Sequence, residues 1–373
     1  MIDRVGHRTV VHTDPEICLH SPMLIKPRPR PQVIRDVTDP KARTGKFFVR
    51  NIYEGLPNVE PGEVKWLRVI EETSRTSKQP AGGNPYNQTF LVSSALAFSV
   101  KTFLGVVPVE EDGSAYFEVP ANRSIFFQAL DENFREIQRE RTYMNYQPGE
   151  VRSCTGCHGE SGHAVSPVSS VAPIALGRPP SIPQPQPCDL VENGGSGLAG
   201  QVIHYPTDIQ PIFDAKCVSC HGNTDPAGGL KLTGELTLYY NTSYEELARK
   251  QLAGPIVSEF TSFLQGDRGN YNGAFLPPKS LGCYKSTMID LLTDPAHAKN
   301  AQDDHCGMLS ESELMIVSRW VDSNYQFYGT YYGRHSSHWV NPDPAIPAFE
   351  PKDLRRKPTF EEAVSKSAPA WHR

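Results

Sequence analysis

The spacing of apolar residues changes about halfway along the chain. In the first half the pattern is short and strand-like. Lys46-Phe47-Phe48-Val49-Arg50-Asn51-Ile52-Tyr53 is rich in aromatic and β-branched residues, the composition that suits a pleated, half-buried surface. Val64-Lys65-Trp66-Leu67-Arg68-Val69-Ile70 alternates apolar and polar positions, as a strand with one buried face does. Residues 71–88 are polar and glycine-rich and read as a loop. Further strands are expected over 103–109, 115–119 and 124–130, with turns at Glu111-Asp112-Gly113-Ser114 and Asp131-Glu132-Asn133. Residues 137–144 would complete a hairpin. Several short strands with frequent turn signals indicate a β-sandwich or small barrel.

After residue 200 the period becomes helical. Helices are expected over 208–216, 243–252, 286–293 and 310–324. The first places Ile209, Ile212 and Phe213 on one face, with Thr207 as an N-cap type and Pro211 in the first turn. The last opens on Ser310-Glu311-Ser312-Glu313, and Leu314, Ile316, Val317, Trp320 and Val321 share one face at 3/4 spacing.

Proline separates these regions. Of 33 prolines, the densest runs lie at 27–31, 173–187 and 342–351, which read as extended connectors. The expected fold is α+β and multidomain. An irregular arm covers 1–45, a β-rich domain 46–163, a linker 164–200, a mainly α domain 201–335 and a loose tail 336–373.

Two pentapeptides carry the chemistry. Cys154-Thr155-Gly156-Cys157-His158 closes the β-rich region, and Cys217-Val218-Ser219-Cys220-His221 follows the first helix of the α region. C-x-x-C-H is the attachment motif of c-type haem. Two intervening residues space the sulfurs to meet two porphyrin vinyl groups, and the adjacent histidine falls beneath the ring to ligate iron. A zinc ribbon would use the same cysteines with its pairs about 15–20 residues apart; Cys157 and Cys217 are much farther apart. A thioredoxin-like dithiol would need a βαβ context, which the pattern lacks. Two c-type haems are therefore the expected cofactors, bound through Cys154, Cys157 and His158 and through Cys217, Cys220 and His221. The α region is then a cytochrome c-type domain, in which the haem forms much of the core.

Composition narrows the setting. The net charge is −5, and no basic stripe points to nucleic acid. No apolar run is long enough for a transmembrane helix. The first residues lack the apolar core of a signal peptide, whereas covalent haem attachment takes place outside the cytoplasm. The chain is accordingly expected to work in the periplasm or an equivalent compartment, and to be a piece of a longer protein. Cys18, Cys188, Cys283 and Cys306 remain over and could pair in such a compartment; Cys283 with Cys306 is the pair to test first.

The second iron, held by His221, has several candidate sixth ligands: Met288, His297, His305, Met308 and Met315. Met288 and Met315 fall within amphipathic helices, where methionine usually packs. His297 and His305 lie in the polar loop 294–309. For the first iron His158 is the default ligand, and His163 is a second donor. Tyr143 and Tyr146 lie just upstream.

Four phrases carry a family likeness: 103–130 (FLGVVPVEEDGSAYFEVPANRSIFFQAL), 146–158 (YQPGEVRSCTGCH), 209–221 (IQPIFDAKCVSCH) and 316–329 (IVSRWVDSNYQFYG). Together they resemble the C-terminal half of hydrazine synthase alpha subunits and related proteins. The resemblance implies a first, catalytic haem whose motif histidine binds zinc while a tyrosine four residues on binds iron. That position is Gly162 here, a departure that removes tyrosinate ligation from it and turns attention to His163 or to an ordinary His158-ligated haem. The resemblance also implies a bis-histidine second haem that passes electrons, with His305 as the distal ligand beside His221, and zinc near the first haem. An N-terminal β-propeller region of the family has no counterpart in this chain. The expected activity is redox catalysis on small nitrogen compounds at the first haem and electron transfer through the second, with redox subunits or cytochromes as partners. The competing reading is a non-catalytic electron-transfer subunit with both haems six-coordinate.

Overall fold

The computed structural model describes residues 4–8, 10, 12–17, 26–27, 32, 36–73, 92–94, 99–140, 143–157, 171–189, 202–237, 240–254, 276–300 and 303–329. The chain divides into two compact units, Met1–Val37 and Thr38–Arg373. In the first, Asp14 Oδ1 accepts the backbone N–H groups of Glu16 and Ile17, an Asx turn.

The second unit begins with eight strands: β1 (Thr44–Val49), β2 (Trp66–Thr73), β3 (Val100–Pro108), β4 (Ala115–Pro120), β5 (Ser124–Leu130), β6 (Glu136–Arg139), β7 (Met144–Asn145) and β8 (Val151–Cys154). They form two sheets. One has the order β4-β1-β8; the other has β3-β2-β5-β6, with β7 also paired to β5. β1 runs antiparallel to β4 and parallel to β8. Phe47, Val49, Phe117 and Val119 of the small sheet share one core with Leu67, Val69, Leu104, Ile125 and Phe127 of the large one. Alternate residues of each strand thus face the partner sheet, as the side-chain period of two demands. The Phe47 ring lies 5.4 Å from Phe117 and 4.7 Å from Phe127.

The opposite face of the large sheet is buried as well. Ile70, Phe103 and Phe126 belong to a second core with the helical residues Tyr205, Ile212, Phe213, Tyr244, Ile316 and Trp320. The helices are α1 (Tyr205–Asp208), α2 (Gln210–Lys216), α3 (Thr242–Arg249), α4 (Thr287–Thr293) and α5 (Glu311–Asp322). The large sheet is therefore the middle layer of three. This differs from the half-buried strand expected at 64–70: Arg68, a polar position of that alternation, is 1% exposed. A bulge between Val69 and Ile70 shifts the register of β2 against β3 and re-aims the side chains beyond it.

Helix ends follow local chemistry. Ser310 caps α5 in a capping box with Glu313. Asn241 and Ser286 cap α3 and α4 through their side chains. The helix expected over 208–216 is in fact two. α1 starts at Tyr205, and α2 starts at Gln210 with Pro211 in its first turn. Pro211 has no N–H to continue the ladder, so the helix breaks at Ile209.

The proline-rich stretch is described over 171–189, and there it is packed. Ser181 N–H donates to Tyr116 O and Ser181 O accepts from Glu118 N–H; Gln184 and Val106 exchange the same pair of bonds. Gly105, with φ of 129°, lies under it: a Cβ there would sit 2.6 Å from Gln184 O. The tail beyond 329 and the greater part of the 71–88 loop lie outside the described residues.

Candidate functional site

The second C-x-x-C-H is a continuation of α2. Cys217 and Val218 N–H both donate to Phe213 O, and Cys220 and His221 N–H both donate to Cys217 O. One closed turn therefore presents two thiols and an imidazole. Ile209, Ile212 and Phe213 anchor it from below in the helical core. Cys217 is half-buried against that core and Cys220 is exposed.

The imidazole is oriented by the backbone. His221 Nδ1 lies 3.1 Å from Leu230 O. A carbonyl only accepts, so Nδ1 carries the proton and the Nε2 lone pair is left for a metal. His305 repeats the arrangement: its Nδ1 lies 2.6 Å from Asp303 O. The two ring centroids lie 6.0 Å apart with planes inclined by 32°. Two metal–imidazole bonds of about 2 Å each, with one ion between, require about this separation. The residues present thus fit an iron held between two imidazoles, with both thiols on the same turn.

The other ligand candidates are placed elsewhere. His297 Nδ1 pairs with Asp294 Oδ2 at 3.3 Å, about half exposed. Met315 is buried in α5, Met288 packs on the helical core, and Met308 is 40% exposed. The loop carrying His305 is shaped by its own polar groups: Asn300 accepts from Asp303 N–H, Cys306 N–H donates to Asp304 Oδ1, and Met308 N–H donates to His305 O. Cys283 and Cys306, the first pair to test for a bridge, are both free thiols. Cys283 is buried under α5 with its sulfur 3.3 Å from Ser318 O, whereas Cys306 is exposed. Cys188 is buried, its sulfur 3.1 Å from Arg319 Nη2. Cys18 lies outside the described residues.

The first motif ends β8. Cys154 pairs across from Val49, and its carbonyl accepts from Arg50 N–H. Gly156 then passes close to the turn after β1: a Cβ at this position would meet both Glu54 Cβ and Glu54 O at 2.4 Å. Only glycine allows that approach. Cys154 and Cys157 are half-buried against the core between the sheets. Burial pushes both thiols up, Cys157 to about 12, with the Glu140 carboxylate adding to the effect. His158, His163 and Gly162 lie outside the described residues. Of the two upstream tyrosines, Tyr143 is 40% exposed and Tyr146 is 1% exposed. Among the described residues the Tyr146 hydroxyl has no hydrogen-bond partner.

Glu140 was not singled out by the sequence. One of its oxygens accepts Phe127 N–H at 3.0 Å, while its own N–H donates to Phe127 O. Burial pushes its carboxyl up to about 8. No sequence signal marks it, because its burial follows from the pairing with β5. Among the described residues no group of three or more His, Cys, Asp or Glu side chains gathers as a metal site, and no helix is long and apolar enough to cross a membrane.

Comparison with known proteins adds the family context. Residues 62–159 match the family model of the hydrazine synthase alpha subunit middle domain, a span that runs from β2 through the first C-x-x-C-H. Hydrazine synthase subunit alpha of Kuenenia stuttgartiensis is 23% identical over 335 residues, covering 74% of this chain and 40% of that protein. The solved structure of Kuenenia stuttgartiensis hydrazine synthase matches in fold with a TM-score of 0.53 at 18% identity, over 78% of this chain and 44% of that one. The chain thus spans about two fifths of the length of the curated relative it matches. Residues 62–159 thus match the hydrazine synthase alpha subunit middle domain, and the chain is related to that subunit at 23% identity over 74% of its length.

Proposed function

We propose that the protein is a dihaem c-type cytochrome, with redox catalysis on small nitrogen compounds at the first motif and electron transfer at the second. The observation that carries this reading is the pair His221 and His305, 6.0 Å apart between ring centroids. Each is fixed by a backbone carbonyl, and Cys217 and Cys220 share the turn that bears His221. When bound, haem supplies an iron centre that changes by one electron and a porphyrin that the two thiols can hold as thioethers. His221 and His305 would both hold its iron, leaving no open site for small ligands, which suits a relay. Leu230, Met288, Leu309 and Leu314 are partly buried on the adjoining core and give a porphyrin apolar surface to cover.

At the first motif Cys154 and Cys157 would hold the first haem, with His158 as a ligand to its iron and His163 as a further donor. Zinc near this haem belongs to the same proposal, on the likeness to the hydrazine synthase alpha subunit. So do redox subunits or cytochromes as partners and a periplasmic or equivalent compartment.

The division of labour predicts unequal access. In the haem-loaded, dithionite-reduced protein, carbon monoxide should bind at one iron only, read as a half-complete shift of the Soret band. Binding at neither iron would reduce the protein to a pure relay with both haems six-coordinate. Binding at both would remove His305 from the second.

A further inference from the structure

The two imidazoles of the second site are held by different means. His221 ends a turn that continues α2, and the base of that turn, Ile209, Ile212 and Phe213, is buried in the helical core. The His221 carbonyl accepts Leu232 N–H at 2.8 Å, and its Nδ1 donates to Leu230 O at 3.1 Å. Helix and core fix that ring. His305 sits instead in a loop at the surface, with Asp304 exposed on one side and Cys306 and Gly307 exposed on the other. Its ring is oriented by the bond from Nδ1 to Asp303 O at 2.6 Å. The place of the ring therefore depends on the place of that carbonyl.

Asp303 is tied to Asn300 through backbone and side chain together. Asp303 N–H donates to Asn300 O at 3.0 Å and to Asn300 Oδ1 at 3.1 Å. In return Asn300 Nδ2 donates to Asp303 Oδ2 at 2.7 Å. Both ends of one amide are used, its oxygen on an N–H and its nitrogen on a carboxylate, and among side chains of this length only an amide offers both. On the far side of His305 the loop closes through its own carbonyl, which accepts Met308 N–H at 3.2 Å, and Leu309 packs on the helical core.

We propose that Asn300 and the Asp303 carboxylate are positioning residues for the second site: together they hold Asp303 O on His305 Nδ1, and through that bond they set the donor strength of His305. The inference rests on the reading that His221 and His305 hold one haem iron. A carbonyl on Nδ1–H fixes the tautomer, leaves Nε2 for the metal and makes the imidazole a stronger donor. A stronger donor favours the oxidised iron, so the brace keeps the potential of the second haem low. The carbonyl is backbone and survives every side-chain change. Its position does not, because the brace that sets it is made of side chains.

Nuclear magnetic resonance of the reduced, haem-loaded protein, with isotope-labelled histidine, follows the two Nδ1 protons separately. Asn300→Ala should speed solvent exchange of the His305 proton roughly five-fold, the weight of one ordinary hydrogen bond. The His221 proton, bonded to Leu230 O, should exchange as in the wild type and serves as the internal control. Asp303→Ala should act like Asn300→Ala. Asp303→Asn keeps an oxygen for Asn300 Nδ2 and should restore the wild-type rate. In a potentiometric titration the midpoint potential of the second haem should rise in both alanine variants, with the first haem unchanged. A role in stability alone would lower the urea midpoint of the alanine variants and leave proton exchange and potential at their wild-type values; that result overturns the proposal. So does a rise in Asp303→Asn equal to that in Asp303→Ala. In either case haem mass on the peptide bearing Cys217 and Cys220 leaves the dihaem reading intact. That peptide without haem in the wild type overturns both.

Discussion

Replacing Asp322 by alanine should destabilise the protein by about 3–5 kcal/mol, the cost of breaking a buried ion pair by removing one partner. Asp322 ends α5 and is fully buried. Its Oδ1 accepts Cys283 N–H at 3.0 Å and its Oδ2 accepts Glu136 N–H at 2.9 Å. Its carboxylate lies 3.9 Å from Arg68 Nη1. Arg68, also buried, donates to Gln186, Gln128 and the carbonyl of Phe134. Burial lowers the Arg68 guanidinium to about 10, with Asp322 holding it up, so at neutral pH it stays charged. Alanine would leave that cation without its carboxylate and two backbone donors without acceptors. Asparagine would not rescue it, since an amide accepts from one side and presents N–H groups to the other.

The same cluster adds a pH effect. Burial pushes Asp322 and Glu136 up, Glu136 to about 7, while Arg139 and Arg68 pull them down. A carboxyl raised in the folded state contributes stability below its unfolded value, and that contribution is lost as pH rises through its folded value. For Glu136 the window runs from about 4.5 to about 7. Urea unfolding of wild type and Asp322→Ala at pH 7, followed through the buried Trp320, measures the main effect. A difference under about 1 kcal/mol, the range of an exposed pair, would show that the cluster does not join sheet to helix in the way the contacts imply.

His305→Ala should convert one haem from low-spin to high-spin and open it to carbon monoxide. The second iron would lose one of two strong nitrogen donors. His297, the other histidine of that loop, is engaged with Asp294 in an exposed turn. His297→Ala should leave the spectrum unchanged. The orientation of His305 is fixed by Asp303 O, which mutation of side chains nearby does not remove, so the effect is confined to the ring itself. The reverse pattern, with His297→Ala giving the high-spin form, would transfer the ligand and break the pairing seen between His221 and His305.

How much of this was readable in advance depended on the range of the interaction. The strands at 115–119 and 124–130 were legible because alternation and turn residues are local, and they appear as β4 and β5. Ser310 and Glu313 announced the start of α5 for the same reason. Pro211 was read as tolerable in a first turn, and it sits in the first turn of α2; the short helix from Tyr205 that precedes it was not read. The alternation around Arg68 implied a solvated face. The helices that cover that face lie far along the chain, and nothing in 64–70 reports them. The cysteine motifs fixed which residues to watch, and the structure brings His221 and His305 together. The carbonyls of Leu230 and Asp303 that orient them carry no residue signature. Cys283 and Cys306 were the first pair to test because both flank the proposed haem pocket, but Cys283 is buried under α5 and Cys306 is exposed. Glu140 was invisible for a similar reason: its environment is made by β5 and by Tyr146.

The most direct test of the dihaem reading is the intact mass of the protein produced with a c-type cytochrome maturation system. The account predicts the chain mass plus two haems, with Cys217→Ala disturbing one of them and leaving the other. A bare chain mass under those conditions would contradict it.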